Sequence, residues 1–309
     1  MRVFITGIAG FIGSSIAREL IVRGHTVAGL DNFKTGLKEN VPTEADFFNV
    51  DIRSLADLRR ISLAGYDVVM HLAGQSSGEL SHDDPCYDLD TNAKGTLNVL
   101  IVANEAGVNR FLNASSMGVY GQVNVDECPV NESSTLNPLS FYGVSKLAGE
   151  KYCNYFIALG MNITSFRMFN VFGPGQNLSN MKQGMVSIYL SYILDGQPVV
   201  VKGSLDRFRD FVYISDVVDF WISAIELKAT YGKVYNLGTG VKTTVLELVS
   251  TMLDTAGVSR DMLRVEGGTT ADQSGIFGAV DSLKSDFGRA PRVMMADGIR
   301  QMWADYHEF

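Results

Sequence analysis

The run Gly7-Ile-Ala-Gly10-Phe-Ile-Gly13 constrains this chain more than any other segment. It follows an apolar, β-branched stretch, Met1–Thr6, that reads as a buried strand. It precedes Gly13–Arg23, where Ile16, Leu20 and Ile21 fall on one helical face. Three glycines at a strand-to-helix turn have separate uses: Gly7 permits the tight turn, Gly10 lets backbone approach a pyrophosphate, and Gly13 lets the helix pack closely on the sheet. The helix N-terminus, with Phe11 and Ile12 in the turn, then offers N–H groups and a positive dipole end to phosphates. Asp31 ends the next strand, His25–Leu30, about 20 residues further on. A carboxylate there accepts hydrogen bonds from adenosine ribose hydroxyls and repels a 2′-phosphate, which favours NAD over NADP.

The same alternation continues through the first half. Phe47–Val50, Asp67–Leu72, Asn109–Ala114 and Asn162–Phe169 read as strands, and Ser54–Ile61, Tyr87–Ala106 and Phe141–Leu159 as helices. Repeated βαβ units with right-handed crossovers imply an α/β fold, a Rossmann-type doubly wound parallel sheet. After Met168 the pattern becomes mixed. Helices are expected at Gly184–Leu194, Asp216–Lys228, Val245–Ala256 and Asp297–Tyr306, and strands at Pro198–Val201, Arg209–Ile214 and Lys233–Leu237. The division is thus a nucleotide-binding domain over residues 1–168 and a smaller C-terminal domain over 169–309, with about 205–238 returning to the main sheet.

Composition narrows the partners. A formal net charge of −8 argues against nucleic acid or an anionic membrane as the main partner. Cys86, Cys128 and Cys153 form no C-x-x-C pair, and His25, His71, His82 and His307 show no ligand spacing, so no metal is expected. His71, at a strand end, reads as a satisfied structural imidazole. The N-terminus lacks the pattern of a signal peptide and no apolar run is long enough to span a bilayer, so the cytoplasm is the expected compartment.

Tyr142-Gly-Val-Ser-Lys146 places a phenol and an ammonium four residues apart on one helical face. A phenol is a poor base at neutral pH, and a nearby cation moves its pKa down toward the working range. By itself this spacing is common. Ala114-Ser-Ser-Met-Gly-Val-Tyr-Gly121 strengthens it, because a serine at the end of a sheet strand can hold a substrate oxygen while Tyr142 moves the proton.

Together these features resemble the extended short-chain dehydrogenase/reductase family, in its NAD-dependent nucleotide-sugar epimerase/dehydratase branch. The resemblance covers nearly the whole chain. It rests on the glycine turn, Asp31-Asn32, Asp51-Ile52, His71-Leu-Ala-Gly74, Asn92 with Gly95-Thr96, Ser115-Ser116, Val119-Tyr120-Gly121, and Tyr142 with Lys146. Further on it includes Arg167-Met-Phe-Asn170-Val-Phe-Gly-Pro174-Gly175-Gln176, Arg209-Asp-Phe-Val-Tyr213 with Asp216, and Asn236-Leu-Gly-Thr-Gly240. The resemblance implies NAD as cofactor and a C-terminal domain that binds a nucleotide sugar. Asp31 and Asn32 would contact the adenosine ribose, Asp51 and Ile52 the adenine. Leu72, Ala73 and Gly74 would run beside the phosphates, and Asn92 belongs to the same cofactor set. Tyr142 would be the catalytic base and acid, Lys146 would bind the nicotinamide ribose and tune it, and Ser116 would be the catalytic hydroxyl. Phe169 would line the nicotinamide end; Asn170 and Arg209 would hold the substrate diphosphate. A homodimer through Tyr87–Ala106 and Phe141–Leu159 is implied as well, and so, at family level, is supply of precursors for polysaccharides.

Relatives that eliminate water carry Asp-Glu directly after the catalytic hydroxyl; here Met117 and Gly118 stand there and read as a pocket wall. The leading expectation is therefore epimerisation at C4 of a UDP-hexose or UDP-N-acetylhexosamine through a transient 4-keto sugar. The runner-up is a C4 dehydrogenase or 4-keto-sugar reductase, and a catalytically silent NAD-binding regulator is the third reading. Ser76, Ser77 and Glu79, after the strand ending at Leu72, are further substrate-contact candidates. Where relatives carry Arg-x-Gly-Asp, this chain has Thr269 three positions before Asp272. Arg207 would compensate by binding phosphate, or is a surface arginine paired with Asp206; Lys182 touches phosphate or an acidic sugar, or is solvated. Gly278 and Ala279 stand near where relatives place residues that set pocket size.

Overall fold

The computed structural model describes residues 1–267 and 274–307. The chain divides into two units. One comprises residues 1–121, 135–167 and 218–235, and the other 122–134, 168–217 and 236–309.

The first unit is built on six strands in chain order: β1 (Arg2–Thr6), β2 (Thr26–Asp31), β3 (Asp46–Asn49), β4 (Val68–His71), β5 (Arg110–Ser116) and β6 (Asn162–Met168). With Lys233–Leu237 at one edge they form a seven-stranded sheet in the order Lys233–Leu237, β6, β5, β4, β1, β2, β3. The pairings of β1 with β2 and β4, of β2 with β3, and of β4 with β5 are parallel. The order reverses direction at β1, so the crevice beyond the ends of β1 and β4 is the switch point where ligands of such sheets bind. The doubly wound α/β expectation holds. Central strands are buried along their length, as a sheet covered on both faces requires. Phe4, Leu30, Val69 and Phe111 from the strands pack with Leu58, Val99, Leu100, Val102 and Phe156 from the helices.

The returning segment is 218–235, shorter than the 205–238 the sequence pattern points to. The reason is local. The strand expected at Arg209–Ile214 is broken at Asp210: Phe208–Arg209 pairs with Thr243–Thr244, Phe211–Tyr213 pairs with Asn170–Phe172, and Ile214 opens a helix. Buried Arg110 on β5 pins the returning segment to the sheet. Its guanidinium donates to the carbonyls of Ala224 at 2.6 Å and Ile225 at 3.2 Å, and to the hydroxyls of Thr164 at 2.8 Å and Thr230 at 3.0 Å.

Two further local expectations change. The helix expected over Tyr87–Ala106 is interrupted: Pro85–Asp88 leads into a π-type turn, Leu89–Lys94, before Gly95–Glu105 resumes α-helical geometry. The strand Leu263–Glu266, paired with Val199–Lys202 in the second unit, was not legible because only one of its side chains is even half-buried. Among the described residues no helix is long and apolar enough to cross a membrane, and no cluster of three His, Cys, Asp or Glu side chains is placed to hold a metal.

Candidate active site

The first unit carries the cofactor turn. Gly7 has φ +78°, and a Cβ there would stand 2.6 Å from the Ala73 nitrogen. A Cβ on Gly13 would stand 2.1 Å from the Gly7 carbonyl oxygen. Both positions admit only glycine, so the turn, the start of helix Phe11–Val22 and the stretch after β4 pack backbone to backbone. Gly10 caps the helix without a side-chain bond, and the first turn holds no acid. The positive end of the helix is therefore left for an anion, which fits a diphosphate.

Asp31 ends β2 as expected. Its Oδ2 accepts the Ala9 N–H at 3.1 Å and its Oδ1 the Phe33 N–H at 2.9 Å. Burial pushes its carboxyl up, with these N–H groups acting against the rise. Asn32 donates to Asp51 at 2.9 Å, and Arg53 grips the same carboxylate with Nε at 3.0 and 3.1 Å and NH2 at 2.8 Å. Burial works to raise the Asp51 carboxyl, but the Arg53 and Asn32 bonds outweigh it and leave it at about 2. Ile52 is buried against Gly95. Leu72 and Ala73 are tied to β1 through the Thr6 carbonyl at 3.0 Å and hydroxyl at 3.2 Å. A side chain on Gly74 would begin 2.9 Å from Asn92 Oδ1 and 3.0 Å from Lys146 Nζ, so Gly74 fits closely between two of the expected cofactor residues.

Ser116, Tyr142 and Lys146 come together as the sequence leads one to expect. Ser116 ends β5, and its Oγ accepts the Gly118 N–H at 3.1 Å. Helix Phe141–Ala158 begins under a side-chain cap from Ser140, which accepts the Gly143 N–H at 3.0 Å. Gly143 lacks a side chain where a Cβ would stand 2.4 Å from the Gly118 carbonyl. That closeness brings Tyr142 to the Met117–Val119 turn, where its hydroxyl bonds to the Ser116 side chain. Lys146 is buried, donates to the Ala114 carbonyl at 3.1 Å, and holds its ammonium 5.9 Å from the Tyr142 ring centre.

One electrostatic expectation is corrected. The sequence suggests that Lys146 draws Tyr142 toward neutrality; here burial pushes the phenol up to about 12, with the Ser116 bond opposing and the Asp88 charge adding to the rise. Burial likewise lowers Lys146 to about 8, with Asp88 opposing. His71 is the structural imidazole anticipated: its ring nitrogens meet the Thr6 hydroxyl at 2.8 Å and the Thr96 hydroxyl at 2.9 Å. Burial, then the Lys146 charge, lowers it to about 3, so it is neutral.

The expected substrate residues are dispersed. Ser77 is buried and caps the short helix Gly78–Asp83 by accepting the Leu80 N–H at 3.3 Å, whereas Ser76 is exposed. Met117 is half-buried at the start of its turn. In the second unit, Asn170 donates to the Asp210 carbonyl at 3.1 Å, and the ring of Phe169 is buried against Gly238 and Gly278. Arg207 is half-buried and donates to the Ser204 carbonyl at 2.9 Å and to that of Lys202. Arg209 donates to the Phe208 carbonyl at 2.8 Å, and Lys182 is exposed. Asp272 and Thr269 lie outside the described residues.

Sequence reasoning missed a buried layer behind the catalytic helix. Asp88 is fully buried and accepts from Ser145 Oγ at 2.5 Å, Asn92 Nδ2 at 3.0 Å and Gln75 Nε2 at 3.1 Å. The available signal was an aspartate four residues before Asn92 within an apolar helical pattern, where an acid needs partners.

The geometry defines a class: a Rossmann-type dinucleotide fold with a Ser–Tyr–Lys set at the end of β5. The model of the NAD dependent epimerase/dehydratase family matches residues 3–238, and the chain belongs to that family. As in the rest of that family, its cofactor is NAD. A UDP-glucose 4-epimerase of Mycolicibacterium smegmatis is 36% identical over 266 residues, 83% of each chain. The crystal structure of a UDP-glucose 4-epimerase from Thermotoga maritima with UDP-glucose superposes at TM-score 0.95 with 31% identity, covering 100% of this chain and 99% of that one. A dTDP-glucose 4,6-dehydratase of Streptomyces venezuelae with NAD bound superposes at 0.91 with 27% identity, covering 100% and 97%. Fold and family are thus shared by epimerases and dehydratases.

Proposed function

We propose that this enzyme epimerises a UDP-hexose or UDP-N-acetylhexosamine at C4 through a transient 4-keto sugar. The observation that carries the reading is the bare position beside Tyr142. A Cβ on Gly118 would lie 3.4 Å from the Tyr142 ring and 3.5 Å from Ser116 Oγ, so position 118 borders both reacting groups and holds no titratable side chain. Dehydratases of the branch this chain resembles carry an acid and a base directly after the hydroxyl residue to eliminate water; Met117 and Gly118 can exchange no proton. That supports epimerisation over dehydration.

In this reading Ser116 holds the sugar 4-oxygen, and Tyr142 takes the 4-hydroxyl proton and later returns it. Lys146, fixed by the Ala114 carbonyl with its ammonium 5.9 Å from the Tyr142 ring centre, would bind the nicotinamide ribose. NAD, held by the residues named next, would supply a reversible hydride acceptor for C4. The glycine turn would hold its diphosphate, Asp31 and Asn32 its ribose, and Asp51 and Ile52 its adenine. Asn92, Phe169 and Leu72 to Gly74 complete the proposed cofactor set. For the substrate, Asn170, Arg209 and Arg207 are the proposed diphosphate contacts, with Ser76, Ser77, Met117 and Asp272 as further candidates.

The test is proton NMR of the purified protein with UDP-glucose, UDP-N-acetylglucosamine or their 4-epimers, without added cofactor. Appearance of the 4-epimer is the expected result. A 4-keto sugar accumulating with one equivalent of reduced cofactor would replace this reading with a C4 dehydrogenase.

We also infer a homodimer. Val144 and Tyr155, 53% and 64% exposed, lie on one stripe of helix Phe141–Ala158, and Leu89 on the neighbouring helical segment is 57% exposed. Apolar side chains so placed support burial against a second copy.

A further inference from the structure

The buried layer behind the helix of Tyr142 and Lys146 converges on one carboxylate. Three donors converge on Asp88: the hydroxyl of Ser145, the neighbour of Lys146, and the side-chain amides of Asn92 and Gln75. The amide ends of the latter two are fixed from the other side. Asn92 Oδ1 accepts the Gln75 N–H at 2.9 Å, and Asn92 Nδ2 also donates to the Gln75 carbonyl at 2.8 Å. Gln75 Nε2 also donates to the Ser77 carbonyl at 2.7 Å. Asp88 Oδ2 receives both amides and Oδ1 the Ser145 hydroxyl, which also lies 2.9 Å from the Phe141 carbonyl; burial pushes the carboxyl up, and the Ser145 bond, the Lys146 charge and the Asn92 bond act against the rise. The network reaches the site directly. Asn92 Oδ1 and Lys146 Nζ lie 2.9 and 3.0 Å from one point above Gly74, so the atoms Asp88 steadies border the lysine ammonium. Asp88 directly precedes the π-type turn Leu89–Lys94, and Asn92 lies within it.

We propose that Asp88 is a positioning residue of the reaction: it ties the catalytic helix at Ser145 to the cofactor bed at Asn92 and Gln75, and it supplies the negative charge that keeps the buried Lys146 an ammonium. The inference rests on the reading of Lys146 as part of the catalytic set. The other groups facing the ammonium are neutral: the Ala114 carbonyl on β5, Tyr142 on its own helix, Asn92, and His71 at the end of β4. Burial lowers the Lys146 pKa, and Asp88 is the charge that opposes the fall.

The test is titration of Lys146 by NMR in the NAD-loaded protein carrying lysine labelled with ¹³C at Cε, with Lys146→Arg to assign the signal. In Asp88→Asn the midpoint falls by at least about one pH unit, tenfold in proton affinity, and in Asp88→Glu it returns to within about half a unit of the wild type. An Asp88→Asn midpoint unchanged from the wild type overturns the proposal. If Asp88→Asn does not fold, Asp88→Ser decides: it too removes the charge, so the Lys146 midpoint falls by at least about one pH unit, and an unchanged midpoint overturns the proposal. The readout needs no sugar, so a wild type that turns over none of the sugars would defeat the epimerase reading and leave this one standing.

Discussion

Glu150 and Arg167 meet in two hydrogen bonds, Nε to Oε1 at 2.9 Å and NH2 to Oε2 at 2.8 Å, with each side chain 4% exposed. Glu150 stands one turn beyond Lys146 on the catalytic helix, and Arg167 is on β6. The Ser115 hydroxyl on β5 donates to Glu150, and Arg167 donates to the Tyr120 hydroxyl at 3.0 Å. The pair therefore sets the depth at which the helix carrying Tyr142 lies on the sheet. Removing one partner strands a buried charge, so Glu150→Gln should cost about 3–5 kcal/mol in urea unfolding. The double change Glu150→Leu with Arg167→Met should cost less than either single change. A single-variant loss under about 1 kcal/mol would contradict this account.

Tyr142→Phe keeps the ring over Lys146 and removes only the hydroxyl. We expect kcat to fall by about 10²–10⁴, with the NAD content of the purified protein unchanged. Cofactor released by denaturation and measured by absorbance checks the second half. Full activity in this variant would remove Tyr142 from the chemistry.

Gly13→Ala forces a Cβ to within 2.1 Å of the Gly7 oxygen, so the helix start must move away from the turn. The expected outcome is protein that purifies with little NAD. Gly78→Ala meets nothing within 4 Å and serves as the comparison, with NAD content as in the wild type. Equal NAD content in both variants would show that close packing at Gly13 is not what holds the phosphates.

Stability should fall in mild acid because of His71. Its folded-state pKa is lowered to about 3, while the unfolded value is about 6.5. The unfolded chain thus binds the extra proton. The stability this provides is complete above pH 6.5 and is lost as pH falls from there toward 3. Between pH 7 and pH 5 the loss is about 2 kcal/mol. Denaturant unfolding at both pH values reads it, and His71→Gln should show a drop smaller by that amount.

Val144→Glu combined with Tyr155→Glu puts two charges on the exposed stripe of the catalytic helix. Light scattering after gel filtration should report a dimer for the wild type and a monomer for the variant. A wild-type monomer would end the homodimer inference.

Much of the site was legible because it is local. The glycine turn, Asp31, Ser116 and the Tyr142–Lys146 spacing each lie at the end of a strand or on one helical face, and periodicity reports such positions directly. Asp210 was partly legible: it sits in a quoted motif, but only the fold brings it to Thr239, Gly240 and Gly278, whose N–H groups reach its carboxylate at 2.7, 3.0 and 3.3 Å. Ser77, a substrate candidate by position, also caps the helix Gly78–Asp83, a bond that only the folded backbone sets. By itself the sequence determined the α/β sheet, the glycine turn and the placing of Ser116, Tyr142 and Lys146 at a strand end and on one helical face, because alternation and glycine placement follow from backbone geometry. The tertiary structure decided which buried charges are paired and how strongly Tyr142 and Lys146 are perturbed. Asp88 meets Ser145 across 57 positions of chain, and Coulomb and hydrogen-bond energies depend on separations of a few ångströms that no linear pattern records.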